Sequence, residues 1–338
     1  MRARTTVTLA TLIVGVSAVM PAIASGDGLP VVVDSSAGVY SADGEVHYTA
    51  TPENEETIVE REDSASGEVS SILLDGVYSV PAIAMDATAS GLSHDGGTLV
   101  LINPRRSFPR EETALIVLDA ATLEVRDEIV LDGDFSFDAL SPDGSIMYLI
   151  EYTDRRDPTR YAVRSYDLAN LELESAPVID KSEPDEQMRG FPLTRVTGTG
   201  GVWEYTLYDG GGGEPFVHAL DTVNAATLCI DLPWLSPRDV WQADLAMKSE
   251  GATIAVNVKR RGFSGPVAAI DTATGEAGPI GPEDAAETEP ATEPAPGEPA
   301  DEASVGGGTL LGLGAAALAI LAAAFLSAAL MRHRGGTS

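Results

Sequence analysis

Between residues 29 and 281 the chain runs as short apolar segments, each closed by a turn. Residues 98–102, 146–152, 202–208 and 253–258 are rich in β-branched and aromatic side chains, the composition of half-buried strands. Before each stands a glycine turn: His94-Asp95-Gly96, Pro142-Asp143-Gly144, Thr199-Gly200-Gly201 and Ser249-Glu250-Gly251, with Ala42-Asp43-Gly44 as an earlier copy. Asp-Gly between apolar runs predicts a hairpin. About 20 residues after each glycine turn comes Asp-x-(Ala/Val)-(Thr/Asn/Ser), at Asp63, Asp119, Asp167, Asp221 and Asp271. An Asp there predicts a tight turn, because its carboxylate accepts from the backbone N–H two residues on.

Self-similarity at a fixed period is the mark of a repeat architecture. Each unit reads as strand, glycine turn, strand, longer loop, strand, Asp turn, strand, and four strands in about 50 residues predict a propeller blade. The expected fold is therefore all-β, a β-propeller of about five four-stranded blades. A β-sandwich, or two small β-domains, is the competing architecture. No strand is left over to latch the ring, unless residues 29–33 pair with the last unit.

The segment Leu140-Ser141-Pro142-Asp143-Gly144-Ser145-Ile146-Met147-Tyr148-Leu149 resembles the signature of bacterial YVTN-type and WD40-like propellers. So does Val117-Leu118-Asp119-Ala120-Ala121-Thr122-Leu123-Glu124-Val125. The resemblance implies antiparallel blades around a channel, with ligands on one face of the disc. It implies no single activity and no catalytic residue, since the matching positions are turn and strand residues.

Both ends are addressed to a membrane. Residues 1–24 have signal-peptide form: Arg2 and Arg4, an apolar stretch at 7–19, then Ala22-Ile23-Ala24 for cleavage. An uncleaved anchor is the alternative. Residues 309–331 are an uncharged apolar run, long enough for a span at about 1.5 Å per residue. Arg332-His333-Arg334 opens the tail at 332–338 and sets it in the cytoplasm, which leaves the bulk of the chain outside. Gly308 and Gly312 form one small-xxx-small pair, which leaves the oligomeric state open. Between ectodomain and span, residues 282–308 form an acidic Pro/Glu/Thr stalk that Pro stiffens and like charge extends. The chain is thus expected as a single-pass plasma-membrane protein with an extracellular ectodomain.

Charge narrows the function. With 52 acidic against 21 basic residues the formal charge is −31, which disfavours nucleic-acid binding. The single cysteine, Cys229, permits no intrachain disulfide and reads as a small core residue. The four histidines show no metal-ligand spacing, and no metal or cofactor is expected. Gly210-Gly211-Gly212-Gly213 leads to a strand and not a helix, so it reads as a hairpin loop and not a phosphate loop.

One constellation stands out. In three units the loop between the second and third strands carries clustered basic residues: Arg105, Arg106 and Arg110; Arg155, Arg156 and Arg160; Lys259, Arg260 and Arg261. Equivalent propeller loops emerge on one face, so these nine are expected to form a basic ring. Such a ring suits an anionic envelope polymer or an acidic protein partner, since arginine offers planar paired donors. The bland alternative pairs them with nearby Glu111, Glu112, Asp154 and Asp157. The expected function is a binding or scaffold module. Histidines or carboxylates converging at the channel mouth would favour the alternative, a cell-surface hydrolase or lyase, and fully paired arginines would favour a spacer.

Overall fold

The computed structural model describes residues 37–184 and 188–280, and before them the backbone of two short strands, β1 (Ser25–Gly26) and β2 (Val33–Asp34). The expected signal segment at 1–24, the stalk at 282–308, the span at 309–331 and the tail lie outside the described residues. No helix among the described residues is long and apolar enough to cross a membrane.

Five antiparallel sheets follow one another along the chain. The first is β3 (Val39–Tyr40), β4 (Val46–Glu53), β5 (Glu56–Asp63) and β6 (Glu68–Asp75). The second has three strands, β7 (Thr98–Ile102), β8 (Glu112–Asp119) and β9 (Val125–Asp132). The third is β10 (Phe135–Leu140), β11 (Ile146–Tyr152), β12 (Tyr161–Asp167) and β13 (Glu172–Val178). The fourth is β14 (Pro192–Thr197), β15 (Trp203–Tyr208), β16 (Phe216–Asp221) and β17 (Ala226–Asp231). The fifth is β18 (Ala243–Lys248), β19 (Thr253–Arg260), β20 (Phe263–Asp271) and β21 (Ala277–Pro279). In every sheet the strands lie in chain order.

The Asp turns form as the side-chain chemistry dictates. The carboxylate of Asp63 accepts from the N–H groups of Ala65 and Ser66 at 3.0 and 2.8 Å. Asp119, Asp167, Asp221 and Asp271 each repeat this pair of bonds, at 2.8 to 3.1 Å. The fifth turn residue is left-handed in all five copies: Gly67 at φ 70°, Leu123 at 61°, Leu171 at 55°, Ala225 at 49° and Gly275 at 72°.

Side-chain alternation stitches the sheets together. β7 is buried on both faces: Leu99 and Leu101 pack with Tyr48 and Val59 of the first sheet. Val100 and Ile102 pack instead with Phe135, Phe137 and Met147 of the third. A third cluster joins Tyr148 and Val163 to Tyr208 and Phe216, and a fourth joins Leu207 and Val217 to Leu245 and Val256. Each fully buried Leu, Val or Phe contributes about 1.5–3 kcal/mol, so these seams hold the sheets in sequence. Antiparallel four-stranded meanders packed face to face in chain order form a β-propeller architecture. Among the described residues the first and last sheets share no strand, and Val33 pairs with Gly26 rather than with the last sheet.

The second sheet departs from the expected pattern. In place of a regular inner strand, the chain touches β7 at two points, Ser79 with Ile102 and Leu92 with Leu99. Between them it forms a hairpin bridged at Ala82 and Ala89. The hairpin reaches β14, where Met85 and Asp86 donate to the carbonyls of Pro192 and Leu193 at 2.9 and 3.2 Å. Small side chains permit this close approach: Ala82 and Ala84 are fully buried. Gly91, at φ 108°, returns the chain to β7, where a Cβ would lie 2.6 Å from the Val100 carbonyl oxygen.

Candidate functional site

Seven of the nine basic residues stand in connections, between β7 and β8, between β11 and β12, or at the β19–β20 turn, whereas Lys259 and Arg260 are the last residues of β19 and pair with β20. They divide into two kinds. Arg105 is buried, with Nη2 2.6 Å from Asp134 Oδ1 and 3.0 Å from Ser136 Oγ. Its guanidinium lies 4.8 Å from the Tyr152 ring centroid. Arg110 Nε is 3.2 Å from the same Asp134 oxygen, and its Nη1 donates to the Asn103 carbonyl at 2.8 Å. Asp134 immediately precedes β10, so these two arginines tie the loop of the second sheet to the start of the third. Arg155 pairs with Glu111 of the neighbouring loop. Arg160 lies 3.5 Å from Asp157, Lys259 3.1 Å from Asp244 and Arg260 2.9 Å from Asp239.

Arg106, Arg156 and Arg261 are exposed and make no ion pair among the described residues. Each directly follows an ion-paired arginine, and each of the three loops holds one. Arg106 lines a cleft of about 550 Å³ between the first two sheets, beside Glu55, Tyr78 and Glu112.

A second feature lies at the other edge of the sheets, where the glycine turns emerge. A pocket of about 410 Å³ draws its walls from all five sheets: Tyr40, His94, Leu140, Glu204 and Met247 contribute one from each. It lies where the glycine-turn ends of the sheets meet. Register explains its polar wall. A bulge between Pro192 and Thr194 resets β14, so that Arg195 and Thr197 stand opposite Thr206 and Glu204 and face the third sheet. Thr197 Oγ1 donates to Glu204 Oε2 at 2.9 Å. Burial pushes the Glu204 carboxyl up to about 7, against the opposing pull of Arg195 and Thr197.

Beneath it lies a buried ion pair. Arg195 Nη2 meets Asp138 Oδ1, Nη1 donates to the Asp138 carbonyl at 2.6 Å, and Nε donates to Thr206 Oγ1 at 2.7 Å. Both side chains are 3 % exposed. Asp138 Oδ2 has no hydrogen-bond partner among the described residues. Burial drives the neighbouring His218 imidazole down to about 4, so it is neutral at pH 7. Beyond Asp138 a cavity of about 10 Å³ lies against Tyr161 and Tyr208, too small for an organic ligand. The crossing hairpin separates the two spaces: Ala89 and Ser90 line the mouth pocket, and Ile83 lines the small cavity.

Sequence reasoning missed the mouth pocket. Glu204 reads as an ordinary polar position in a strand; alternation along β15 puts it on the same face as Thr206, and the bulge in β14 brings Thr197 opposite it. The available signal was an acidic residue set among Trp203 and Tyr205 in an otherwise apolar strand. Among the described residues no three His, Cys, Asp or Glu side chains gather as a metal site.

No family model and no curated protein matches the sequence. Solved structures do resemble the fold. TolB from Acinetobacter baumannii is 12% identical over 69% of this chain and 50% of its own, with a TM-score of 0.41. The β-propeller domain of the Trilobed protease from Pyrococcus furiosus is 12% identical over 71% of this chain and 67% of its own, with a TM-score of 0.41. An oligogalacturonate lyase in complex with manganese is 10% identical over 72% of this chain and 64% of its own, with a TM-score of 0.45. The chain spans half the length of TolB, and these neighbours are β-propeller proteins of differing activities.

Proposed function

We propose that the chain is a binding or scaffold module built on YVTN- and WD40-like repeats. In this reading a C-terminal span holds it at the outer face of the plasma membrane, and its arginine loops meet an anionic polymer or an acidic protein segment. What carries the reading is the division of labour within the loops. Arg105, Arg155 and Arg260 are committed to carboxylates, whereas Arg106, Arg156 and Arg261 keep their guanidinium groups in solvent. An exposed arginine without a partner can offer both donors of its fork to an incoming carboxylate or phosphate. Three such groups at equivalent loop positions are a repeated contact, and repetition along a polymer multiplies weak contacts.

The test changes Arg106, Arg156 and Arg261 together to Ser and follows retention on immobilised poly-glutamate as salt is raised. Wild type should elute later than the variant, and the gap should close as exposed charges are screened over about 8 Å at physiological ionic strength. Unchanged melting temperature in the variant separates binding from folding. Equal elution of the two proteins at every salt concentration would sink the proposal. A second reading, a cell-surface hydrolase or lyase, draws on His94 and Glu204 sharing the mouth pocket. Turnover that is lost in Glu204→Gln, with folding intact, is the result that would favour it.

A further inference from the structure

The mouth pocket has a chemistry of its own, distinct from that of the arginine loops on the opposite edge of the sheets. Its rim is acidic. Each of the five Asp turns brings its carboxylate to this edge, and Asp43, Asp95, Asp143 and Glu250 add theirs from the glycine turns. Among the described residues the basic groups beside these turns are fewer: Arg61 near Asp63, Arg126 near Asp119, and Lys248 at the end of β18. An anion approaching the pocket is repelled, and a cation is drawn in.

The interior sharpens the choice. Glu204 is the pocket's one carboxylate, and its Oε2 already accepts from Thr197. Oε1 has no hydrogen-bond partner among the described residues, so one strong acceptor remains for a ligand donor. A metal ion calls for three or more ligating groups, whereas this pocket offers one carboxylate and one imidazole. The remaining wall is mixed: Val39, Leu92, Leu140 and Met247 form an apolar strip, with Tyr40 at the rim, and Ser90, Ser93 and Thr199 add hydroxyl groups. A volume near 410 Å³ falls in the range of small-molecule sites. One fixed negative charge, an apolar strip within a polar lining and an acidic approach together describe a receptor for a charged nitrogen on a small, partly apolar body.

We propose that the mouth pocket binds a small organic ammonium ion, with Glu204 as its counter-ion and Leu140 and Met247 against its hydrocarbon part. Glu204 is the determinant of charge preference. Arg195 stands behind it but is turned to Asp138, so it does not close the pocket with an internal ion pair. The groups that titrate or carry charge around Glu204 are Arg195 on β14, Asp138 on β10, and Tyr40 and His94 on the pocket's other walls.

Titration calorimetry on the purified full-length chain tests this with three matched probes: 2-phenylethylamine, 2-phenylethanol and phenylacetate. The amine should bind at least about tenfold more tightly than the alcohol, the margin of one charge-assisted hydrogen bond, and phenylacetate should not bind. Because the Glu204 carboxyl titrates at about 7, affinity for the amine should rise by about tenfold from pH 6 to pH 8 as the carboxylate forms. His94→Gln should keep this rise, and Glu204→Gln should abolish both the rise and the preference for amine. An amine bound no better than the alcohol overturns the proposal. So does a pH-independent amine affinity in the wild-type chain, a result that stands even if Glu204→Gln fails to fold. The arginine variant should bind the amine as wild type does, so either proposal can fail without the other.

Discussion

Replacing Asp138 by Asn removes one charge from the interior with little change of shape. Arg195 then keeps its guanidinium at 3 % exposure with no carboxylate bonded to it, and only the Glu204 carboxyl within electrostatic reach. Breaking a buried pair from one side costs about 3–5 kcal/mol, because the remaining charge stays desolvated. The Arg195 bonds to the Asp138 carbonyl and to Thr206 survive the change and hold the expected cost to about 3 kcal/mol. That is a large part of a typical stability of about 5–15 kcal/mol. With a urea slope of about 3 kcal/mol per molar, the unfolding midpoint should fall by about 1 M. The slope itself should stay constant, since the surface exposed on unfolding is the same. The paired change Asp138→Leu with Arg195→Met should cost less than Asp138→Asn alone, because no charge is then stranded. A midpoint within about 0.3 M of wild type for Asp138→Asn, or a double variant as costly as the sum of its parts, would refute the reasoning.

Two further outcomes follow from the turns and from the buried titrating groups. Leu171 is 50% exposed and held at φ 55°, so Leu171→Gly should raise stability by about 1 kcal/mol in urea unfolding, since Gly carries no penalty there. Glu204 and His218 should bend the pH dependence of stability in opposite senses. The His218 imidazole is depressed from 6.5 to about 4, so its contribution is full above about 6.5 and is lost as pH falls towards 4. The Glu204 carboxyl is raised from 4.5 to about 7, so its contribution is full below about 4.5 and is lost as pH rises to 7. Thermal melts of Glu204→Gln between pH 4.5 and 6.5 should therefore climb more steeply with pH than those of wild type.

What the sequence made legible is what depends on neighbours in the chain. The Asp turns close through bonds two and three residues long, so a four-residue pattern is enough to find them. The glycine turns are equally local, and the loops carrying Arg105, Arg155 and Arg260 lie where the repeat puts them. The partners of those arginines are only partly local. Arg160 meets Asp157 within its own loop, as residue spacing suggests, but Arg105 and Arg260 reach Asp134 and Asp239 through tertiary packing. The mouth pocket depends on a bulge in β14 and on five sheet ends meeting, neither of which leaves a mark in a single strand. The hairpin at 80–91 was equally hidden. Its small, apolar residues resemble a weak inner strand, and what redirects them is a pair of carbonyls on β14, distant in sequence.

That hairpin has a mechanical consequence. Among the described residues the first and last sheets share no strand, so no strand pairing latches one to the other. The two main-chain bonds from Met85 and Asp86 to β14 act as a cross-brace between the second and fourth sheets. A load that would spread those sheets meets this brace directly, instead of passing only through the apolar seams of the third sheet.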